Sequence, residues 1–283
     1  MKILPVTTRS VQVATPSRSQ PLASVQAQPL DRVQLTTVSE KSASHEVLAS
    51  MIRRAPNQAV RDEVIEALNY FPEEALRRIA DFGTRIEIFD PAQDSLPLYA
   101  HNLSKAHVAG CYSPRANVLA VPTQNISPLV LLHEMAHALD LSLGEVSLDP
   151  KWQGAHAVAC ATRQVVRPYA TKNVGEYFAE NVAAHLVPDD QLKGMLLKAL
   201  PKAGVEPAYY IKNHQNYSRG RLAQIDREGS RLAQEVFQSL SQQPAPQPRP
   251  ALSETEYRAE MQSLLQAKKQ QQAMNNPVSL LME

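Results

Sequence analysis

Along this chain, stretches with apolar residues three to four positions apart give way to stretches with apolar residues two apart, with polar or proline-rich runs between them. The first spacing marks an amphipathic helix and the second a half-buried strand. Helical spacing covers about 44–55 (Val47, Leu48, Met51, Ile52), 58–70 (Val60, Val64, Ile65, Leu68) and 72–80, where Pro72 opens the helix. Period-two alternation follows over Thr84–Asp90, and 107–112 and 116–121 read as two strands around the turn Ser113-Pro114-Arg115. Ser127-Pro128 is a cap followed by proline at the first helical position. Leu129, Leu132, Met135, Ala136 and Leu139 then form one face, and Gly144 is a stop. Further helices are predicted at about 176–185, 188–200 and 219–241. Gln242–Pro250 is a polyproline-type linker, and 252–274 a Gln/Lys-rich helix. The narrow stripe of that helix, Met261, Leu264, Leu265 and Met274, fits a loosely tethered surface helix or a partner-binding one.

These elements predict an α+β, mostly α protein: an N-terminal helical lobe, a small twisted sheet and a long helix from Pro128 at its centre. The expected organisation is a polar leader over 1–43 and one domain over 44–215, with 44–80 helical and 81–215 the core. A helix over 216–242, a linker over 243–251 and a helix with tail over 252–283 follow.

Composition adds exclusions. At 283 residues and 43% hydrophobic content the chain can bury one substantial core. A net charge of +1 gives no electrostatic case for nucleic acid or an anionic membrane, and no apolar run reaches transmembrane length. The first 43 residues, rich in Ser, Thr, Gln and Pro, lack the apolar core of a Sec signal and are expected to be disordered. A type III-like export signal and a plain disordered terminus are both open readings, the first making the protein secreted and the second leaving it cytoplasmic. Cys111 and Cys160 fix nothing about redox compartment.

The chemistry lies in His133-Glu134-Met135-Ala136-His137. In a helix, positions i and i+4 lie about 5–6 Å apart at Cβ, so His133 and His137 can reach one metal while Glu134 faces its water. An ordinary amphipathic helix with a solvated Glu134 is the plainer alternative, but it would place two polar rings in an apolar stretch without partners. A catalytic zinc takes three protein ligands. The best third is Glu176, which with Glu180 makes an i, i+4 carboxylate pair on an otherwise apolar segment (Phe178, Ala179, Val182, Ala183, Leu186). Glu180 then orients a histidine ring through its free N–H. Asp140, at i+3 from His137, is a second candidate for that role or a solvent-facing charge. His156 and His185 lack partners at ligand spacing and read as packing or surface residues.

Taken together, His133-Glu134-x-x-His137, then Tyr169, then Glu176 seven residues later inside Glu-Tyr-Phe-Ala-Glu resembles the catalytic domain shared by anthrax lethal factor and the Pro-Pro endopeptidases. The resemblance covers roughly 75–215. It implies a zincin-like fold, one zinc held by His133, His137 and Glu176, Glu134 as general base, and Tyr169 as the donor that stabilises the transition state. Read without it, Tyr169 is a loop aromatic packed on the fold. Gly175 and Ala136 replace the charged residues of the proline-selective members, so Pro-Pro specificity is not implied.

The expected function is therefore a zinc endopeptidase acting on a protein or peptide, as a monomer and in the manner of a secreted toxin or effector. The alternative is a non-catalytic zinc-binding module working through its flexible ends. Peptidases of this kind present an edge strand to an extended substrate, a role that falls on Val108, Ala109, Gly110 and Cys111. Gly110 would permit close backbone approach or mark a β-bulge.

Overall fold

The computed structural model describes residues 38–104, 109–200 and 206–275. The first segment is α1 (Val38–Met51), β1 (Ile52–Arg54), α2 (Gln58–Leu68), α3 (Glu73–Phe82) and β2 (Arg85–Phe89). After a 3-10 turn at Leu98–Ser104 come β3 (Cys111–Ser113), β4 (Val118–Pro122), α4 (Pro128–Ser142), α5 (Pro150–Thr162), α6 (Val174–Leu186) and α7 (Asp189–Ala199). The last segment holds α8 (Pro207–His214), α9 (Arg219–Ile225), α10 (Arg227–Gln238) and α11 (Glu254–Asn275). The result is the α+β, mostly helical architecture that the periodicity implies. Among the described residues no helix is long and apolar enough to cross a membrane.

Among the described residues four strands lie in the order β1-β2-β4-β3, with β1, β2 and β4 parallel and β3 antiparallel at the edge. Alternation divides the sheet. Ile86, Ile88, Leu119 and Val121 face the main core with α1 to α4, and Phe89, Val118 and Ala120 face a smaller cluster with Tyr99 and Leu103. Phe89, Leu119 and Ile88 are wholly buried, so the short strands are held from both faces.

Helix α4 runs between the sheet and α6, its most extensive partner. Both helices carry small buried side chains, Ala136 and Ala138 on one and Ala179, Ala183 and Ala184 on the other. Small residues let two backbones approach closely, which brings the start of α6 beside the middle of α4. The outer side of α6 is fixed by Trp152 of α5, 4.8 Å from the Phe178 ring, and by the Tyr177 hydroxyl, which donates to Asp226 at 2.6 Å.

Several expectations are corrected. The helix expected over 44–55 begins at Val38, so 38–43 are its first turns and not leader. It ends at Met51, because Ile52–Arg54 pair with β2. The single helix expected over 219–241 breaks at Asp226, whose backbone leaves helical geometry and whose carboxylate caps α10 through the Gly229 N–H. Helices α5 and α8 had no counterpart in the expected elements.

The proline-rich segment is no free linker. The Arg249 N–H donates to the Phe82 carbonyl at 2.8 Å and the Leu252 N–H to Ala116 at 2.9 Å. The carbonyl of Arg249 lies 2.9 Å from where a Cβ on Gly83 would stand, and Gly83 itself has φ +95°. Only glycine meets both demands. Asn117, at φ 54°, ties this strap to the sheet: its amide donates to Arg249 O at 2.5 Å, and its oxygen accepts from Thr84 and Tyr112. Helix α11 follows, with Tyr257 edge-on to Tyr99 at 5.9 Å, while Leu264 and Leu265 are exposed. The side chain of Met274 and residues 1–37 lie outside the description, as does Val108.

Candidate active site

Ser127 precedes α4 with extended backbone and Pro128 occupies the first turn, so the helix starts where the sequence places it. One turn further in, His133 and His137 share a face, their rings 4.8 Å apart and nearly perpendicular. Helix α6 is capped by Asn173, whose side chain accepts from the Glu176 N–H at 2.9 Å, and this sets Glu176 in the first turn. The Nε2 atoms of the two histidines lie 3.2 Å from each other and each 3.2 Å from Glu176 Oε2. A tetrahedral zinc with bonds of about 2.0–2.1 Å requires ligand atoms about 3.3–3.4 Å apart. The three donor atoms thus form one triangular face of the size that such an ion needs.

The imidazoles and carboxylates of this cluster are electrostatically coupled. Burial alone would lower the pKa of His133, but Glu176 and Glu180 outweigh it and raise it to about 10. Burial alone would raise that of Glu176, yet His133, His137 and Lys172 hold it well below the carboxylate range. A proton on the imidazole meets the carboxylate charge here, and a metal ion would have to displace it.

Behind His133 stands Glu180, wholly buried, with one oxygen 3.3 Å from His133 Nδ1 and the same distance from Arg167 Nη1. These are ion-pair contacts too poorly aligned to count as hydrogen bonds. Despite burial, Arg167 and His133 hold the Glu180 pKa down. The Arg167 guanidinium also lies over the Tyr217 ring at 5.7 Å.

Glu134 turns toward the sheet. Its Oε2 accepts the backbone N–H of Tyr112 at 2.6 Å, which joins α4 to the edge strand β3. Beside it lies a cavity of about 180 Å³ bounded by Gly110, Val130, Glu134, Arg167 and Tyr169. Larger hollows exist, such as one of about 790 Å³ between α5 and the α9–α10 break, but His133 and Glu134 line only the small one among those described. Gly110 makes the close approach possible: a Cβ there would stand 2.8 Å from Val130 Cγ1 and 3.3 Å from Glu134 Cγ. Ala109 and Gly110 lead into β3 and Cys111 begins it, its thiol pushed up to about 12 by burial and the nearby Glu134. Both cysteines are free thiols.

Tyr169 sits on the 3-10 turn Pro168–Thr171, its ring 5.9 Å from that of His133 and its side chain 42% exposed. Burial raises its pKa from the ordinary tyrosine value. Its oxygen accepts from Lys172 Nζ at 2.9 Å. Asp140 departs from expectation: both of its oxygens are taken by Ser147, from the backbone N–H at 2.8 Å and from the hydroxyl at 2.6 Å. It pins the turn after α4 and makes no hydrogen bond to a histidine among the described residues. His156 faces Cys160 and His185 stacks on Phe237, both away from the cluster.

Three participants escaped the sequence reading: Arg167, Lys172 and the Tyr112 N–H. Lys172 had a usable signal, since it lies three residues after Tyr169 and four before Glu176.

No protein-family model matches the chain, and no curated protein does. Among solved structures, it is similar to the Pro-Pro endopeptidase PPEP-2 from Paenibacillus alvei, at 15% identity and a TM-score of 0.44, over 68% of this chain and all of that one.

Proposed function

We propose that this protein is a zinc-dependent endopeptidase. The observation that carries the reading is the convergence of His133 Nε2, His137 Nε2 and Glu176 Oε2 at 3.2 Å, with Glu134 on the same helix face-on to the edge strand. His133, His137 and Glu176 would hold the ion, and the donor spacing fits it. A bound zinc supplies Lewis acidity, which acidifies water and polarises a peptide carbonyl.

The chain's own residues supply the rest. Glu180 lies 3.3 Å from His133 Nδ1, and a small turn of that ring would let it receive the Nδ1–H and leave the Nε2 lone pair directed at the ligand site. Glu134 is held at Oε2 by the Tyr112 N–H, and its other oxygen takes the proton of the attacking water and passes it to the leaving amine. Tyr169 donates its phenolic hydrogen to the oxyanion that develops on the carbonyl carbon's oxygen. Ala109 and Gly110 lead into the edge strand β3, which begins at Cys111, so an extended peptide laid along this segment would bring its scissile bond over Glu134. That geometry supports a protein or peptide as the substrate.

Metal removal tests this reading. Dialysis against a chelator should abolish cleavage of a mixed peptide library, and one equivalent of zinc should restore it. Cleavage that persists in metal-free protein would overturn the proposal.

A further inference from the structure

One side chain touches both halves of the site and has no place in the roles assigned so far. Lys172 Nζ lies 2.9 Å from Tyr169 Oη and 2.9 Å from Glu176 Oε1. The local chain explains the bridge. Three residues per turn place 169 and 172 on one side of the 3-10 turn, and Asn173 then caps α6, so Lys172 stands just outside the helix turn that carries Glu176. We infer that Lys172 is a positioning residue that holds Glu176 to one-oxygen ligation and aims the Tyr169 hydroxyl; this deepens the peptidase reading and rests on it.

The donor and acceptor inventory gives the reason. An ammonium only donates, whereas a phenol has one hydrogen and two lone pairs. By receiving from Lys172, Tyr169 uses a lone pair, so its hydrogen, which has the Glu176 carboxylate nearby, can be turned to a substrate oxygen. On the other arm, Oε1 of Glu176 is engaged by Lys172 while Oε2 faces the two imidazoles. A carboxylate free to swing could offer both oxygens to an ion and fill the position that water and substrate need. Lys172 is more than half exposed and packs into no core, so its substitution should leave the fold in place.

The experiment uses the full chain as wild type, Lys172→Met, Lys172→Arg and Tyr169→Phe, with cobalt(II) replacing zinc as a probe. Four-coordinate cobalt absorbs more strongly in the visible than five-coordinate cobalt, because geometry sets the intensity of its d–d bands. With one cobalt per chain throughout, Lys172→Met should weaken the band and Lys172→Arg should restore most of it. In the zinc-loaded proteins, Lys172→Met should lower kcat about tenfold or more with KM within about twofold, and that loss should shrink at least about threefold in the Tyr169→Phe background. Superimposable cobalt spectra for wild type and Lys172→Met, or an unchanged kcat, would overturn the inference. If the wild type cleaves no peptide, the peptidase reading fails, and the cobalt spectra still decide the role of Lys172.

Discussion

Glu180 meets His133 at 3.3 Å from inside the protein, with no exposed surface of its own and with Arg167 on the same oxygen. One buried carboxylate thus stands against both the His133 ring and the arginine beside the cavity. Glu180→Gln should keep the shape and weaken zinc binding about 10–100-fold, measured by competition with a chromogenic chelator. Glu180→Leu should in addition destabilise the fold, because the partly buried Arg167 is left without its partner. Wild-type zinc affinity in Glu180→Gln would separate this residue from the site.

The edge strand reaches the active helix only because residue 110 has no side chain. Gly110→Ala places a methyl 2.8 Å from Val130 Cγ1, and the short valine side chain has little room to yield. An overpacking cost of about 1–3 kcal/mol is expected in urea unfolding, with a fall in kcat/KM as the strand moves off Glu134. Adding Val130→Ala should recover much of the stability. Equal stability of Gly110→Ala and wild type would show that this approach is looser than described.

Most of the helices and the cluster of His133, His137 and Glu176 are legible in the sequence because each depends on near neighbours. HExxH needs only helical spacing, and the Glu176–Glu180 pair needs only an apolar background and the Asn173 cap. What stays hidden depends on partners distant along the chain. Ile52 continues the helical spacing of α1 yet joins the sheet because β2 is there to pair with it. Asp140 has suitable spacing to serve His137 but is captured by Ser147 across the turn. Asp226 looks like one polar position on an amphipathic helix, and only the fold shows it capping α10 while it accepts from Tyr177.

The strap shows the same limit and yields its own expectation. Residues 249–252 bond to Phe82, Ala116 and Asn117, more than 130 positions upstream. Each such hydrogen bond contributes about 1 kcal/mol, and Ala251 and Tyr257 add apolar burial. A chain ending at residue 242 should therefore melt several degrees lower than full length in calorimetry. A chain ending at residue 262, which keeps the strap and the Tyr99–Tyr257 contact, should melt near the full-length value. The same melting temperature for both truncations would return the segment to the status of a free linker.

Acid should weaken the fold through His185. Burial, reinforced by Arg219, lowers its pKa to about 4 in the folded chain, against about 6.5 when exposed. The unfolded chain therefore takes up a proton first as pH falls. The stabilisation is complete above pH about 6.5 and declines toward pH about 4, by up to about 1.4 kcal/mol per pH unit. His185→Phe, which preserves the stacking on Phe237, should flatten the fall of the urea midpoint over that range. An identical slope in both proteins would remove His185 from the acid response.

The central claim is that Glu134 is the base of a zinc peptidase built on α4 and α6. The most direct measurement is cleavage of one peptide substrate by wild type and Glu134→Gln, each shown by elemental analysis to carry its zinc. The expected result is one zinc per chain in both proteins and a turnover about 100- to 10,000-fold lower in Glu134→Gln. Turnover by the zinc-loaded variant at the wild-type rate would contradict the account.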